Sequence, residues 1–153
     1  MIDTRFIVWD NQYLEDAIQL YIDVFTDEPW NDVLTYEEIE LYFDRLLAMN
    51  TFEGYLALDA TGAVIAASLG FIRPWFRGVQ YHLDSFYIAN AFQSKGIGGA
   101  FLDFVKADLA QKDIPNIALD TEIGYPSDFF YRKHGFSSNP DSVTMYGNTK
   151  LKK

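Results

Sequence analysis

The stretch Leu83–Ala100, which reads LDSFYIANAFQSKGIGGA, joins an alternating strand to a glycine-rich loop that opens a helix. The first amides of a helix have no partners within it, and the helix dipole adds partial positive charge at that end. Glycines also let a ligand approach the backbone closely. The stretch therefore predicts a site for a phosphate or pyrophosphate group, to which Lys95 adds a formal positive charge.

Two common phosphate-binding patterns do not fit this loop. The P-loop of NTPases places Lys after its last glycine, whereas Lys95 precedes Gly96. The dinucleotide fingerprint G-x-G-x-x-G matches weakly, because Phe101 stands at its last glycine position and two helices precede the motif. The pattern that fits is Gln93-Ser-Lys-Gly96-Ile-Gly98, which is Q-x-x-G-x-G.

Hydrophobic periodicity predicts the elements around this stretch. A strand is expected over Arg5–Trp9, and helical spacing runs from Leu14 to Phe25. Thr35 and Glu38 form a capping-box signature at the start of a second helix. Further on, the pattern predicts strands at 52–59, 63–72, 80–88 and 116–120, helices at 97–109 and 127–134, and β-like segments at Phe136 and 142–146.

This order of elements predicts one α+β domain over residues 1–153. We expect a twisted, mostly antiparallel sheet of six to seven strands, flanked by about four helices. One pair of strands should be parallel, where a helix crosses over between them. No repeat or linker divides the chain.

Composition narrows the function classes. The chain has 153 residues, a net charge of −10 and no cysteine, which excludes disulfides, cysteine-ligated metals and cysteine nucleophiles. Its two isolated histidines predict no metal site. The acidic field disfavours nucleic acid and anionic membranes as partners and favours a cation. No apolar stretch approaches the roughly 20 residues that span a bilayer, so a cytoplasmic protein is expected.

A second motif follows the helix and short strand: Phe130-Tyr131-Arg-Lys133-His-Gly135-Phe136. With the Q-x-x-G-x-G loop and the element order between them, residues 80–137 resemble the GNAT superfamily of N-acyltransferases. The resemblance implies an enzyme that moves an acetyl group from acetyl-CoA, its acyl-donor cosubstrate, to an amine in a ternary complex. It also implies a GNAT-like fold, and a homodimer would fit the family.

The resemblance implies roles for particular residues. Backbone amides near Phe86 and Ile88 would pair with the pantetheine and polarise the acyl carbonyl. Tyr131 would be the general acid that protonates the departing thiolate. Gly124 and Ser127 stand where many members have Asn and Ala, which puts one contact to the pantetheine in doubt. The implied pyrophosphate cradle consists of Gln93, Ser94, Lys95, Gly96, Ile97, Gly98 and Gly99.

The chemistry of the acceptor also requires a base. A primary alkyl amine has a pKa near that of Lys, about 10.4, and arrives mostly protonated. Asp84 is the candidate that takes this proton, directly or through water, with Glu122 as the reserve. A solvent-facing strand residue is the structural alternative for Asp84.

The acceptor itself is not identified by the sequence. In the family that the chain resembles, the first two helices and their loop form one wall of the acceptor cleft, which implies that Glu28, Trp30 and Asp32 present an aromatic face and carboxylates to a cation. Trp75 and Phe76 are a second candidate wall. Packing explains any of these aromatic residues equally well. A polyamine, an aminoglycoside-like amine, an amino acid or a peptide N-terminus would all be compatible.

Two other functions remain open. The first is a non-catalytic module that binds or senses acyl-CoA, which would bind acetyl-CoA without turnover. The second is a nucleotide-phosphate binder of another fold, which would bind ATP or NAD in place of CoA.

Overall fold

The computed structural model of the protein describes residues 3–150. The chain forms two compact units, which divide between Asp120 and Thr121 and are described separately. The predicted α+β class is confirmed, with four helices and a mostly antiparallel sheet within the described residues. The predicted single domain over residues 1–153 stays a prediction.

The first unit carries the whole sheet. Its helices are α1 (Leu14–Phe25), α2 (Tyr36–Leu47) and α3 (Ile97–Gln111), with short 3₁₀ turns at Asn11–Tyr13 and Asn90–Phe92. Its strands are β1 (Thr4–Val8), β2 (Phe52–Asp59), β3 (Val64–Trp75), β4 (Gly78–Ile88) and β5 (Ile117–Ala118). The second unit contains α4 (Pro126–Lys133).

The five strands lie in their chain order, β1-β2-β3-β4-β5. All neighbouring pairs are antiparallel except β4 and β5, which are parallel because α3 crosses over between them. This confirms the predicted parallel segment. One side of the sheet packs on α1 and α2 through a core that includes Ala17, Ile18, Phe43, Leu56, Leu69 and Tyr87.

The capping box fixes where α2 begins. The Glu38 amide donates to Thr35 Oγ1 at 3.2 Å, and the Thr35 amide donates to Glu38 Oε1 at 3.1 Å. Two amides that the helix leaves without internal partners are thereby satisfied. Since α2 starts at this residue, its buried face carries Ile39, Phe43 and Leu46 onto the core.

The sheet contains one irregularity that matters for the site. Leu69 of β3 pairs with Ser85, but the next residue, Gly70, pairs with Leu83, so that Asp84 is an extra residue on β4. This is a β-bulge. A Cβ built on Gly70 would lie 2.2 Å from the carbonyl oxygen of His82, so the glycine allows β4 to approach at this point.

The predicted number of strands was too high, because the sheet has five strands within residues 3–150. The β-like segments predicted at Phe136 and 142–146 form no strand. Val143, Met145 and Tyr146 are instead largely exposed. Alternation supplies only a propensity, and a strand forms where a neighbour satisfies its backbone groups.

Candidate active site

The bulge presents Asp84 on the surface of β4. Tyr42 of α2 donates its hydroxyl to Asp84 Oδ2 at 2.5 Å, and the same oxygen of Tyr42 lies 2.7 Å from Ser85 Oγ. The phenol has one proton, which it gives to the carboxylate, so at the second contact Ser85 must be the donor. A chain of hydrogen bonds therefore runs from Ser85 through Tyr42 to Asp84.

Tyr42 and Tyr21 both lie beside the bulge and stay protonated at neutral pH. Burial raises the pKa of Tyr42 well above its usual value, and its hydrogen bond to Asp84 raises it further. Burial also raises the pKa of Tyr21, partly opposed by a hydrogen bond with Ser85, and the charges of Asp84 and Asp32 add to the rise. The Tyr21 and Tyr42 rings lie 5.7 Å apart. The bulge therefore adjoins two neutral phenols.

His82 lies on the other side of Asp84. Its Nε2 is 3.7 Å from Asp84 Oδ1, which is longer than a hydrogen bond. The ring packs on Phe71 at 5.0 Å, and within residues 3–150 its buried Nδ1 has no hydrogen-bond partner. These contacts describe a strand residue packed beside the bulge.

The strands β4 and β5 part close to the bulge. They form only two residue pairs, Tyr81 with Ile117 and His82 with Ala118. Beyond His82, β4 continues to Ile88 while its pairing with β5 has ended. One edge of β4 is therefore not covered by β5 along this part of the strand.

The amides of Phe86 and Ile88 face this edge. The next amide, that of Ala89, donates to the Ile65 carbonyl at 2.7 Å, on the side of β3. Successive N–H groups of a strand alternate between its edges, so those of Ile88 and Phe86 point away from β3. The Ile88 carbonyl also points this way and accepts a hydrogen bond from Gln93 Nε2 at 2.9 Å.

The predicted cradle opens α3. Gly96 is the N-cap with φ 80°, and Ser94 also has a positive φ, 61°. The first bond of the helix joins the Ala100 amide to the Gly96 carbonyl, so the preceding amides of Ile97, Gly98 and Gly99 point outward from its end. No acidic residue lies in the first turn. This end of α3 suits an anion.

Side-chain hydrogen bonds fix the loop between β4 and α3. Gln93 Nε2 also donates to Asn90 Oδ1 at 3.0 Å, and Asn90 Nδ2 donates to Asp27 Oδ2 at 2.8 Å. Gln93 thus ties the loop to β4 and to the segment after α1. Lys95 is exposed and adds its charge at the same loop.

The predicted acceptor residues lie in two separate places. Glu28, Trp30 and Asp32 are in the loop after α1, where the Trp30 ring packs edge-on against Phe25 at 5.3 Å. Trp75 lies at the tip of the β3–β4 hairpin. With about 3.3 Å per residue, Trp75 is roughly 20 Å along β3 from the bulge. The structure therefore does not bring Trp75 to Asp84.

The second unit holds Tyr131. It is 8% exposed and lies on α4 between the rings of Phe130 and Phe136, at 5.3 and 5.4 Å. Burial raises the pKa of its phenol, which is therefore protonated at neutral pH and can only donate a proton. The reserve base Glu122 is exposed in the turn before α4.

Three contributors to the site were missed by the sequence analysis: Tyr42, Ser85 and Gly70. Helical spacing places Tyr42 beside the apolar face of α2, but no local signal pairs it with a carboxylate 42 residues away. An isolated glycine in a strand is a signal for a bulge, and Gly70 could have been read in this way.

No group of three or more His, Asp or Glu within the described part of the chain is arranged to hold a metal ion. None of the helices among residues 3–150 is long and apolar enough to cross a membrane.

Known structures share this fold. An integron cassette protein from the mobile metagenome of V. cholerae superposes with a TM-score of 0.78 at 12% identity, over 97% of this chain and 94% of the other. An aminoglycoside acetyltransferase from an uncultured soil metagenomic sample, solved with sisomicin, gives 0.74 at 14% identity over 96% and 97%. The aminoglycoside 6'-N-acetyltransferase of Acinetobacter baumannii gives 0.72 at 17% over 96% and 99%. At these identities the likeness shows the fold alone.

The sequence comparison goes further. No curated protein sequence matches the chain significantly. However, the sequence model of the Acetyltransferase (GNAT) family matches residues 14–136, which span α1 to the end of the closing motif. The chain therefore belongs to the GNAT acetyltransferase family.

Proposed function

We propose that the protein transfers an acetyl group from acetyl-CoA to a primary amine by direct attack in a ternary complex. The observation that carries this proposal is the bulge in β4, which presents the Asp84 carboxylate beside the place where β4 and β5 part. The same strand leads directly to the anion-binding end of α3.

The residues fit the donor in two places. The outward amides of Ile97, Gly98 and Gly99, with Lys95 beside them, suit a pyrophosphate. The amide of Ile88 points to the edge beyond the last β4–β5 pair, where it can donate to the pantetheine chain. An amide on this edge can also polarise the thioester carbonyl. Phe86 has the same orientation.

The proposed reaction assigns a donor and an acceptor to each proton that is transferred. The acceptor arrives as an ammonium, and Asp84 takes one proton from it, directly or through water. The neutral nitrogen then attacks the thioester carbon, the C–N bond forms and the C–S bond breaks. Tyr131 gives its phenolic proton to the leaving thiolate, and the second proton lost by the nitrogen restores the phenol. One proton is released overall, with the amide and free CoA as products.

The proposed acceptor is a primary amine, and the proposal does not choose among primary amines. Glu28, Trp30 and Asp32 are proposed to line its approach, because the loop bears three carboxylates, of Asp27, Glu28 and Asp32, and the Trp30 ring packs on Phe25, which lies 4.5 Å from the Tyr21 ring. Two of the structural neighbours are aminoglycoside acetyltransferases, one of them solved with sisomicin. Sisomicin therefore belongs in a panel of test amines, beside a diamine, an amino acid and a short peptide.

Calorimetry with acetyl-CoA tests the donor site. The wild type should bind, and Gly98→Glu should abolish binding, because it places a bulky anion at the cradle. The matched control is Gly147→Glu, where a side chain meets nothing within 4 Å. Absence of binding to the wild type would refute the proposal. Binding without thiol release on any amine would support the alternative of a non-catalytic sensor, and binding of ATP or NAD in place of acetyl-CoA would support the nucleotide reading.

A further inference from the structure

The Asp84 carboxylate is held at one oxygen only. Its Oδ2 accepts the hydrogen bond from Tyr42, which is itself fixed by the donor Ser85. A hydrogen bond to a charged acceptor is stronger than one between neutral groups, and the short distance agrees with this. The rotation of an otherwise exposed strand side chain is thereby restricted.

The other oxygen of the Asp84 carboxylate, Oδ1, takes no part in the hydrogen bond with Tyr42. His82 Nε2 lies 3.7 Å from Oδ1, beyond hydrogen-bond distance. The Asp84 side chain is 35% exposed, so a ligand can reach this oxygen. Its lone pairs are available to a donor that comes from outside the chain.

Asp84 also lacks a cation of the protein's own. The other carboxylates in ion pairs within residues 3–150, namely Glu53, Asp108 and Asp128, each contact a Lys or Arg. Asp84 instead accepts the hydrogen bond from Tyr42 and lies 3.7 Å from the imidazole of His82, with no Lys or Arg within 4 Å among residues 3–150. Asp32 adds further negative potential near Tyr21. The bulge is therefore a site where a carboxylate of fixed orientation has no fixed counter-ion.

We infer that Tyr42 is a positioning residue that directs Asp84 to bind the protonated nitrogen of an alkyl amine, and so restricts the acceptor to strongly basic amines. This inference rests on the proposed function. An alkylammonium brings both the positive charge and the N–H donor that Oδ1 lacks. An amine that is uncharged at neutral pH brings only a weaker hydrogen bond, and it gains less from a fixed carboxylate.

The test compares two acceptors in a thiol-release assay with saturating acetyl-CoA at pH 7. Butylamine is mostly protonated at this pH and methoxyamine is uncharged. The measured quantity is the ratio of kcat/KM for butylamine to kcat/KM for methoxyamine. Tyr42→Phe should lower this ratio about tenfold, because it removes the hydrogen bond that orients the charged Asp84 carboxylate toward the ammonium.

Matched variants separate positioning from folding. Tyr36→Phe removes a hydroxyl from the first turn of the same helix that takes no part in the hydrogen bonds of Asp84 and Tyr42, and it should leave the ratio unchanged. Ser85→Ala keeps the phenol but removes the hydroxyl that donates to it, and it should lower the ratio by less than Tyr42→Phe does. If Tyr42→Phe does not fold, Ser85→Ala decides the question.

The outcomes distinguish the two proposals. An equal loss of activity toward both amines in Tyr42→Phe would refute the inference, since a merely structural role would not change the ratio. An unchanged ratio would refute it as well. If the wild type binds acetyl-CoA but acetylates no amine, the proposed function fails and the inference fails with it.

Discussion

Replacement of Gly70 by alanine tests whether the bulge depends on this glycine. The added Cβ would lie 2.2 Å from the His82 carbonyl oxygen and 2.7 Å from Cζ of the buried Tyr81 ring. Contacts below 3.0 Å do not persist, so β4 would have to move by roughly 1 Å at the bulge. Neither obstacle yields easily, because one is backbone and the other is a fully buried ring.

The magnitude follows from this displacement. Overpacking of a tightly packed site costs about 1–3 kcal/mol, which for a protein of this size lowers Tm by about 2–12 °C. A displacement of roughly 1 Å at a reacting group can also cost about a hundredfold in kcat. Gly70→Ala should therefore lose both stability and amine turnover.

Urea unfolding followed by circular dichroism, together with the thiol-release assay, measures both effects. The control is Gly147→Ala, where nothing lies within 4 Å of the added Cβ and the unfolding free energy should change by less than about 0.5 kcal/mol. If Gly70→Ala unfolds at the wild-type urea concentration and keeps the wild-type kcat, the argument that Gly70 supports the bulge is refuted.

Two further predictions concern single side chains. Tyr131→Phe should lower kcat by about 10²- to 10⁴-fold and leave acetyl-CoA affinity unchanged, because a phenolic proton donor is lost; Tyr146→Phe is the exposed control, and an undiminished kcat would exclude the acid role. The pKa of Asp59 lies below its usual value, chiefly because the Thr61 side chain donates a hydrogen bond to its carboxylate. A lowered folded-state pKa gives stability that is present above the unfolded value of about 3.9 and is lost as the pH falls below it. Asp59→Asn should therefore lose less stability than the wild type between about pH 5 and pH 3 in urea unfolding, with Asp103→Asn as the control; an equal loss would contradict this assignment.

Much of the fold could be predicted from local pattern. The bounds of α1 and β2 agree with the predicted Leu14 to Phe25 and 52–59, and the capping box marks the start of α2. These features depend on neighbouring residues, so the sequence carries them directly. The number of strands was overestimated because the alternation at 142–146 indicates a propensity, whereas a strand also needs a partner.

Part of the candidate site could likewise be predicted from local pattern, and part could not. The glycine-rich start of α3 could be predicted because the glycines and the first amides of α3 are adjacent in sequence, and Gly96, its N-cap, has a positive φ of 80° that a glycine adopts without strain. Asp84 could be named as a candidate base, and Gly70 signals that a bulge can form nearby, but which residue of β4 the bulge presents depends on the pairing of β4 with β3.

The sequence by itself determined the family, the glycine-rich start of α3 and most of the element boundaries, because each depends on residues close together in the chain. Only the tertiary structure decided that Tyr42 meets Asp84 and that Trp75 lies far from it. The first contact joins residues 42 apart through the packing of α2 beside β4, and the second follows from the length of the β3–β4 hairpin. Contacts of this kind depend on strand register and helix packing, and no local pattern of residues encodes them.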